Sequence, residues 1–379
     1  MPEEAIDSLS FIKSHWTAWW MLGVAHERVQ SFRGLYLCYS AVVNVVFTVG
    51  YPLHLGMSLF SNRSLTEDIL NLTTFVTCLA CSAKTLLYAY NIGKVARMEH
   101  LLRLLDERVS GMQQRAIYGQ VKLKLRTILY VFIGIYMPLA LYAELSFISK
   151  EERGLMYPAY FPFDWLHSTR NYYIANFYQI VGISFLLVQN YVNDCFPAVV
   201  LCLISSHVKM LYSRFDDIGR DPSIDAEKQL EDCITDHKRL LNIFQCMEGF
   251  MSLPMFVQFT VTALNLCISV ASVVFFVSEP MARIYCIFYA IGIQLQIYPS
   301  CFYSTDNEYW FGRLHNAAFS CNWPDQDRTF KRKMMIFLER SLKRSTAVAG
   351  GMLRVNVDTF FATLKMAYSL FTIIIRMRK

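Results

Sequence analysis

Seven stretches of the 379-residue chain are apolar over lengths that soluble folds rarely sustain. They run Leu35–Phe60, Ile69–Ile92, Thr127–Ser149, Tyr172–Leu203, Phe250–Val277, Met281–Tyr303 and Val348–Ile375. A helix rises about 1.5 Å per residue, so about 20 residues cross the roughly 30 Å of a bilayer's hydrocarbon core. Lipid offers backbone N–H and C=O groups no partners, which restricts spanning structures to helices and closed barrels. A barrel strand would show about 10 residues of alternating polarity, a pattern these stretches lack. Composition agrees: charged residues make up 17% of the chain, against about 25% in soluble domains. The fold class expected is an all-α polytopic membrane protein with seven transmembrane helices. The fourth stretch is too long for one level span and should tilt or project beyond the bilayer.

Basic residues set the orientation. The N-terminal segment and the second, fourth and sixth connections together hold 25 lysines and arginines, and the opposite side holds seven. The positive-inside rule places the N-terminus in the cytoplasm and the C-terminus outside. Asn62-Arg63-Ser64, an acceptor sequon for N-glycosylation, falls in the first connection on the side assigned to the exterior. A second sequon at Asn71 begins a span and is expected to be inaccessible. No basic n-region leads into a short apolar core near Met1, so no cleavable signal peptide is expected. Trp16, Trp19 and Trp20 suggest a half-apolar helix at headgroup level.

The long connections are expected to be helical. Met98, Leu101, Leu102, Leu104 and Leu105 form one apolar face before the third span, and Leu230, Ile234, Leu241 and Phe244 lie on or near one stripe before the fifth. Phe330, Met334, Phe337 and Leu338 repeat the pattern, with a basic flank, before the seventh. Amphipathic stripes of this kind bury against something, and three at one level point to a packed cytoplasmic layer. The Lys331–Lys333 run also suits anionic lipid.

Motifs for enzymatic chemistry are missing. Cys78-x-x-Cys81 lies inside an apolar span without further ligands at zinc-binding spacing. The histidines are scattered, and neither a Gly-x-Ser-x-Gly elbow nor a Gly-rich phosphate loop occurs. No catalytic residue, metal or cofactor is expected, and basic residues dispersed between apolar blocks do not suit a nucleic-acid partner. Charges within spans are more telling, because burying them is costly unless they are paired or line water. Lys84, Glu144, Asp194 and Lys365 are such charges; Lys84 can snorkel, and Glu144 and Asp194 can lie near the interfaces or in a tilted extension.

The last 60 residues resemble the C-terminal signature of the insect odorant receptors. The matching elements are Cys321-Asn322-Trp323, Arg340-Ser341, Gly350, Thr359-Phe360 and Tyr368-Ser369, in that order. The related gustatory receptors usually end in a Thr-Tyr…Gln-Phe pattern, whereas this chain reads AYSLFTIIIR. The G-protein-coupled receptor reading lacks its Asp-Arg-Tyr and Asn-Pro-x-x-Tyr motifs here.

The resemblance implies a subunit of a ligand-gated, non-selective cation channel in the membrane of olfactory sensory neurons. Small volatile odorants would be its ligands, and an odorant co-receptor its partner in a heterotetramer embedded in membrane lipids. The chain lacks the co-receptor's long insert between spans four and five, so it resembles a tuning subunit. On that basis it divides into a cytoplasmic N-terminal segment with an interfacial helix (1–34) and a ligand-binding bundle of six spans (35–303). Cytoplasmic loops lie at 93–126 and 204–249, followed by a cytoplasmic anchor (304–347) and a pore-lining helix with a short tail (348–379). Candidate ligand contacts are Phe75, Thr77, Tyr136, Met137, Tyr178, Phe185 and Tyr298; candidate pore residues are Phe361, Leu364, Tyr368 and Thr372. Lys365 is expected to point toward a neighbouring helix rather than along a cation path.

An epitope placed before Met1 should stain only after permeabilisation, and one after Lys379 should stain on intact cells. Reversed staining would overturn the orientation.

Overall fold

Long uninterrupted helices are what a chain of apolar blocks must form where water cannot solvate its backbone. The computed structural model describes residues 6–28, 32–60, 65–148, 153–221, 223–275 and 280–378. Asn62 lies outside them. A short α1 (Ser10–Met21) precedes α2 (Arg33–Val43), which continues through a π-helical segment (Asn44–Val49) into α3 (Gly50–Ser58). Next come α4 (Leu65–Asn91), α5 (Gly93–Asp106), α6 (Met112–Ile148), α7 (Thr169–Asp217), α8 (Ala226–Phe275) and α9 (Pro280–Ser320). The chain ends with α10 (Arg328–Ser341), a two-stranded hairpin of β1 (Val348–Ala349) and β2 (Leu353–Arg354), and α11 (Val357–Arg378).

Among the described residues, six helical segments are long and apolar enough to cross a membrane: 33–58, α4 from Asn71, 112–141, α7, α8 and α9 from Arg283. Helix α11 has 22 residues but carries Asp358, Lys365, Arg376 and Arg378 and lies outside that set. Large apolar side chains ring the outside of the bundle, including Leu35, Val45, Tyr130, Leu145, Phe177 and Ile284. Apolar surface on that scale suits hydrocarbon rather than water.

Helix α7 is the central post. It packs against α6, α8 and α9, and from Val192 to Val208 nearly every side chain is buried. At 49 residues it is about 70 Å long, more than twice the hydrocarbon thickness. Its second half therefore projects into a helical layer at the basic end of the bundle. Met98, Leu102 and Leu105 of α5, Leu230 and Phe244 of α8, and Phe330, Met334 and Phe337 of α10 share one core there with Phe215 of α7.

Charge pairs staple this layer. The Asp236 carboxylate is fully buried and accepts from Arg214 at 2.6 Å and Arg239 at 2.9 Å, with Arg108 at 3.2 Å. Lys333 bridges Glu227 and Glu231 of α8, so the basic run of α10 is partly spent inside the protein rather than offered to lipid.

Three local features differ from the sequence reading. Trp16 and Trp19 are buried: the Trp16 indole donates to Glu99 at 2.6 Å, and Trp19 packs on Phe196 and Phe250. Only Trp20 of the three is exposed. For Trp16 the reason is that an indole carries enough apolar area to favour a core once its N–H has a partner; the Trp19 N–H is buried without one among the described residues. Lys84 does not snorkel, because Asp194 and Gln258 hold its ammonium inside the bundle. The seventh apolar stretch begins as the β1–β2 hairpin, not as helix. Gly350 sits there at φ +57°, where a Cβ would meet the Phe256 ring at 2.8 Å. Its N–H donates to the Ser252 carbonyl at 3.0 Å, tying the turn before α11 to α8.

His237 of α8 packs edge-on to Phe337, and burial, reinforced by Arg340, pushes its pKa down to about 4. A base held neutral in the folded state adds stability above the unfolded value of about 6.5 that is lost as pH falls. On the values 6.5 and 4 the loss at pH 5 is about 2 kcal/mol. Thermal melts of detergent-solubilised protein should show H237L losing less of its midpoint than the unaltered chain between pH 7 and 5. Parallel losses would contradict this role.

Candidate functional site

Helices that cross at shallow angles leave gaps where side chains fall short of filling them. One such gap is a cavity of about 380 Å³, within the 300–1,000 Å³ typical of small-molecule sites. Its walls come from α4 (Thr73, Thr74, Thr77, Cys78), α6 (Tyr136, Leu139, Ala140, Glu144), α7 (Ile183, Leu186, Leu187, Asn190), α8 (Ser269, Ser272) and α9 (Tyr285, Cys286, Tyr289, Gln296). Residues Met156 to Pro158 of the α6–α7 connection close it.

That connection is strapped down. Gln179, fully buried on α7, donates to the Tyr157 carbonyl at 2.8 Å and accepts from the Tyr157 N–H at 3.2 Å. Ser58 donates to the Pro158 carbonyl at 3.0 Å and accepts from Asn71 at 2.6 Å. Asn71 is thus consumed inside the fold, which makes the second sequon inaccessible to a glycan.

The cavity is aromatic and aliphatic with a few directed polar groups. Thr77, Tyr289 and Asn265 form a closed triangle, with Thr77 to Tyr289 at 2.8 Å and Asn265 donating to Thr77 at 2.8 Å and to Tyr289 at 3.1 Å. Thr77 in turn donates to the Thr73 carbonyl at 2.8 Å. The Tyr136 hydroxyl donates to Asp194 at 2.6 Å, and Asp194 pairs with Lys84 at 2.5 Å. Both charged side chains are nearly inaccessible. Asp194 therefore lies within the bundle, not at its edge, and the cost of its charge is met by a cation and a hydroxyl.

Of the seven candidate ligand contacts, the structure brings two to this cavity, Thr77 and Tyr136. Phe75 abuts Gly56, and Met137 points outward at 53% exposure. Tyr178 belongs to a separate aromatic cluster with Phe47, Tyr51, His54 and Phe161, its hydroxyl donating to the Val46 carbonyl at 2.9 Å. Phe185 packs on Phe47 and Tyr298 on Phe302 and Phe360. Tyr285, Tyr289, Tyr157, Asn190 and Ser269 were not singled out in the sequence, and Glu144 only as an intramembrane charge, although Tyr285 and Tyr289 have the four-residue spacing of one helix face.

On α11, Phe361 and Tyr368 are exposed, Thr372 is half-buried, and Leu364 turns inward against Ala367 and Leu266. Lys365 is also exposed, on the same side as Phe361 and Tyr368.

One grouping resembles hydrolase chemistry. Ser8 lies 3.3 Å from His207 and 2.7 Å from Asp106. Its proton is directed to the carboxylate, its own N–H also binds Asp106 at 2.9 Å, and none of the three lines the cavity. The grouping tethers the segment before α1 to α5 and α7. Among the described residues, no cluster of histidine, cysteine and carboxylate side chains could hold a metal ion.

Comparisons with known proteins agree with this architecture. The family model described as 7tm Odorant receptor matches residues 64–368. Odorant receptor 59a of Drosophila melanogaster is 69% identical, with both chains covered in full. Odorant receptor 33c of the same species is 31% identical over 98% of each chain. Among solved structures, the olfactory receptor OR5 of Machilis hrabei superposes with a TM-score of 0.78 at 15% identity, covering 96% of this chain and 97% of that one. The same receptor in complex with eugenol gives 0.82 at 14% identity, covering 98% of this chain and all of the other. A long-helix bundle with this cavity, a family match across most of its length and full-length relatives identify the chain as a multi-pass membrane protein of the insect odorant-receptor family.

Proposed function

We propose that the chain is an odour-tuning subunit of a ligand-gated, non-selective cation channel, working with a co-receptor in a heterotetramer. The observation that carries this reading is the cavity of about 380 Å³ among α4, α6, α7, α8 and α9. Its tyrosine and aliphatic walls suit an uncharged volatile of modest size, oriented by a few hydroxyl and amide groups. Thr77 and Tyr136 are its ligand contacts, joined by Tyr289 of α9. The solved OR5 structure with eugenol supports the assignment by likeness of fold.

In this reading α11 is a seventh span, the N-terminus is cytoplasmic and the C-terminus extracellular. The layer built from α5, α10 and the ends of α7, α8 and α9 is then the cytoplasmic anchor. Phe361 and Tyr368 face outward from the subunit, as residues shared around a central pore must, and aromatic side chains at such a constriction gate by dewetting. Lys365 shares that outward face, so its charge would meet a neighbouring subunit or the permeation path. Leu364 packs inward and supports the helix instead of lining the pore.

Co-expressed with the co-receptor, the chain should give odour-evoked cation current without added G protein, and little current alone. A140F, which places a ring in the cavity, should raise half-maximal odour concentrations about tenfold or more. M137A and Y298A, outside the cavity, should leave them unchanged. F361A and Y368A should alter permeability ratios or gating, muted by equivalent positions on the other subunits. Dose–response curves unmoved by A140F would remove the ligand from this cavity.

A further inference from the structure

Two of the side chains that line the cavity are joined to each other through the interior of the protein. Tyr136 of α6 donates to Asp194 Oδ2 of α7 at 2.6 Å. Asp194 Oδ1 accepts from Lys84 of α4 at 2.5 Å, and Lys84 donates again to Gln258 Oε1 of α8 at 2.6 Å. Gln258 Nε2 then donates to Gln296 Oε1 of α9 at 3.0 Å, and Gln296 lines the cavity. Five helices thus contribute one side chain each to a chain of bonds that begins and ends on the cavity wall.

Ligand binding does not require this arrangement, and it is a poor way to stabilise a bundle. A buried ion pair is often matched or bettered by apolar residues of the same volume. What it does provide is interdependence. If a ligand turns the Tyr136 ring, one carboxylate oxygen loses its partner where no bulk water replaces it, and the remaining bonds must rearrange. A small void of about 10 Å³, lined by Lys84, Gln258, Thr262, Asn265 and Gln296, adjoins the chain of bonds and gives those side chains room to shift. Thr262 Oγ1 and Asn265 Oδ1, both buried, have no hydrogen-bond partner among the described residues and offer alternative contacts on α8.

The α8 member lies beside the root of α11. Two residues before Gln258, Phe256 covers Gly350. Ser252 accepts from the Gly350 N–H at 3.0 Å and donates to the Val348 carbonyl at 2.7 Å. A shift of α8 at Gln258 would therefore act on the hairpin from which α11 springs.

We propose that Lys84, Asp194 and Gln258 are positioning residues for gating, passing displacement of Tyr136 by a bound ligand to α8 where it holds the base of α11. This inference rests on the channel reading above. The test uses the full chain with its co-receptor, comparing K84M/D194M, which removes both charges together, and Q258L, which removes none. The probe is the most effective member of a fixed panel of monocyclic aromatic and short aliphatic volatiles that includes eugenol. Surface biotinylation, maximal evoked current and the ligand-induced shift in melting temperature of solubilised receptor are measured together. Both variants should reach the surface and keep the melting shift, while maximal current falls about tenfold or more. K84R, which keeps the charge, should retain part of the current.

Full maximal current in both variants would overturn the relay and leave the channel reading standing. Loss of the melting shift together with current would overturn it too, by showing a binding role. If the double variant fails to reach the surface, Q258L decides: normal current there rejects the relay, and lost current with intact binding sustains it. An unaltered receptor that is silent to the whole panel, with co-receptor present, would overturn the channel reading and the relay with it.

Discussion

A polar side chain on a helix inside a lipid-embedded bundle must be answered by another part of the protein, because hydrocarbon answers nothing. Helix α7 meets that demand at positions spread along its length. Gln179 holds the Tyr157 backbone, Gln189 donates to Thr48, Asn193 donates to Thr85, and Asp194 accepts from Lys84 and Tyr136. Further along, His207 meets Ser8, and Lys209 pairs with Asp306 at 2.7 Å. These bonds fix the register of several neighbours against the post. Together they decide where α3, α4, α6 and α9 sit, and hence where their side chains leave space. The cavity is the gap left among these neighbours once the polar groups are satisfied.

This explains why a solved receptor at 15% identity shares the fold. The architecture depends on where apolar blocks begin and end and on how long the helices run beyond the membrane. Those quantities survive extensive substitution, since one aliphatic residue fills a lipid-facing position as well as another. The cavity wall is more demanding. There, exchange of a tyrosine for leucine changes what the walls can hold while the bundle still packs. In the proposed reading, tuning can therefore vary through the cavity wall while the bundle around α7 stays constant.

Much of the scaffold was legible in the sequence because it is written in lengths and periods. The apolar stripes before the fifth and seventh spans mark helices, and Leu230, Phe244, Phe330 and Met334 are buried in one core. The site was less legible. Thr77 and Tyr136 stand out as polar-capable groups in apolar spans, but Tyr178 carries the same signature and belongs to a different cluster. An aromatic residue on a helix says that it needs company, not which company, and only packing against α7 separates cavity wall from core. Lys84 and Asp194 were each conspicuous as intramembrane charges. Their partnership across 110 residues depends on helix register, which no local pattern encodes. Gly350 was visible only as part of a family signature, until the ring of Phe256 gave it a steric reason.

The proposed function depends on odour being held beside Thr77, Tyr136 and Tyr289. A structure of the receptor bound to its co-receptor, determined with a brominated analogue of an activating odorant, locates the ligand by its heavy atom. The heavy atom should lie in the cavity among α4, α6, α7, α8 and α9, within van der Waals contact of at least two of those three side chains. A heavy atom among Tyr51, His54 and Tyr178, or on the outward face of α11, would contradict the assignment.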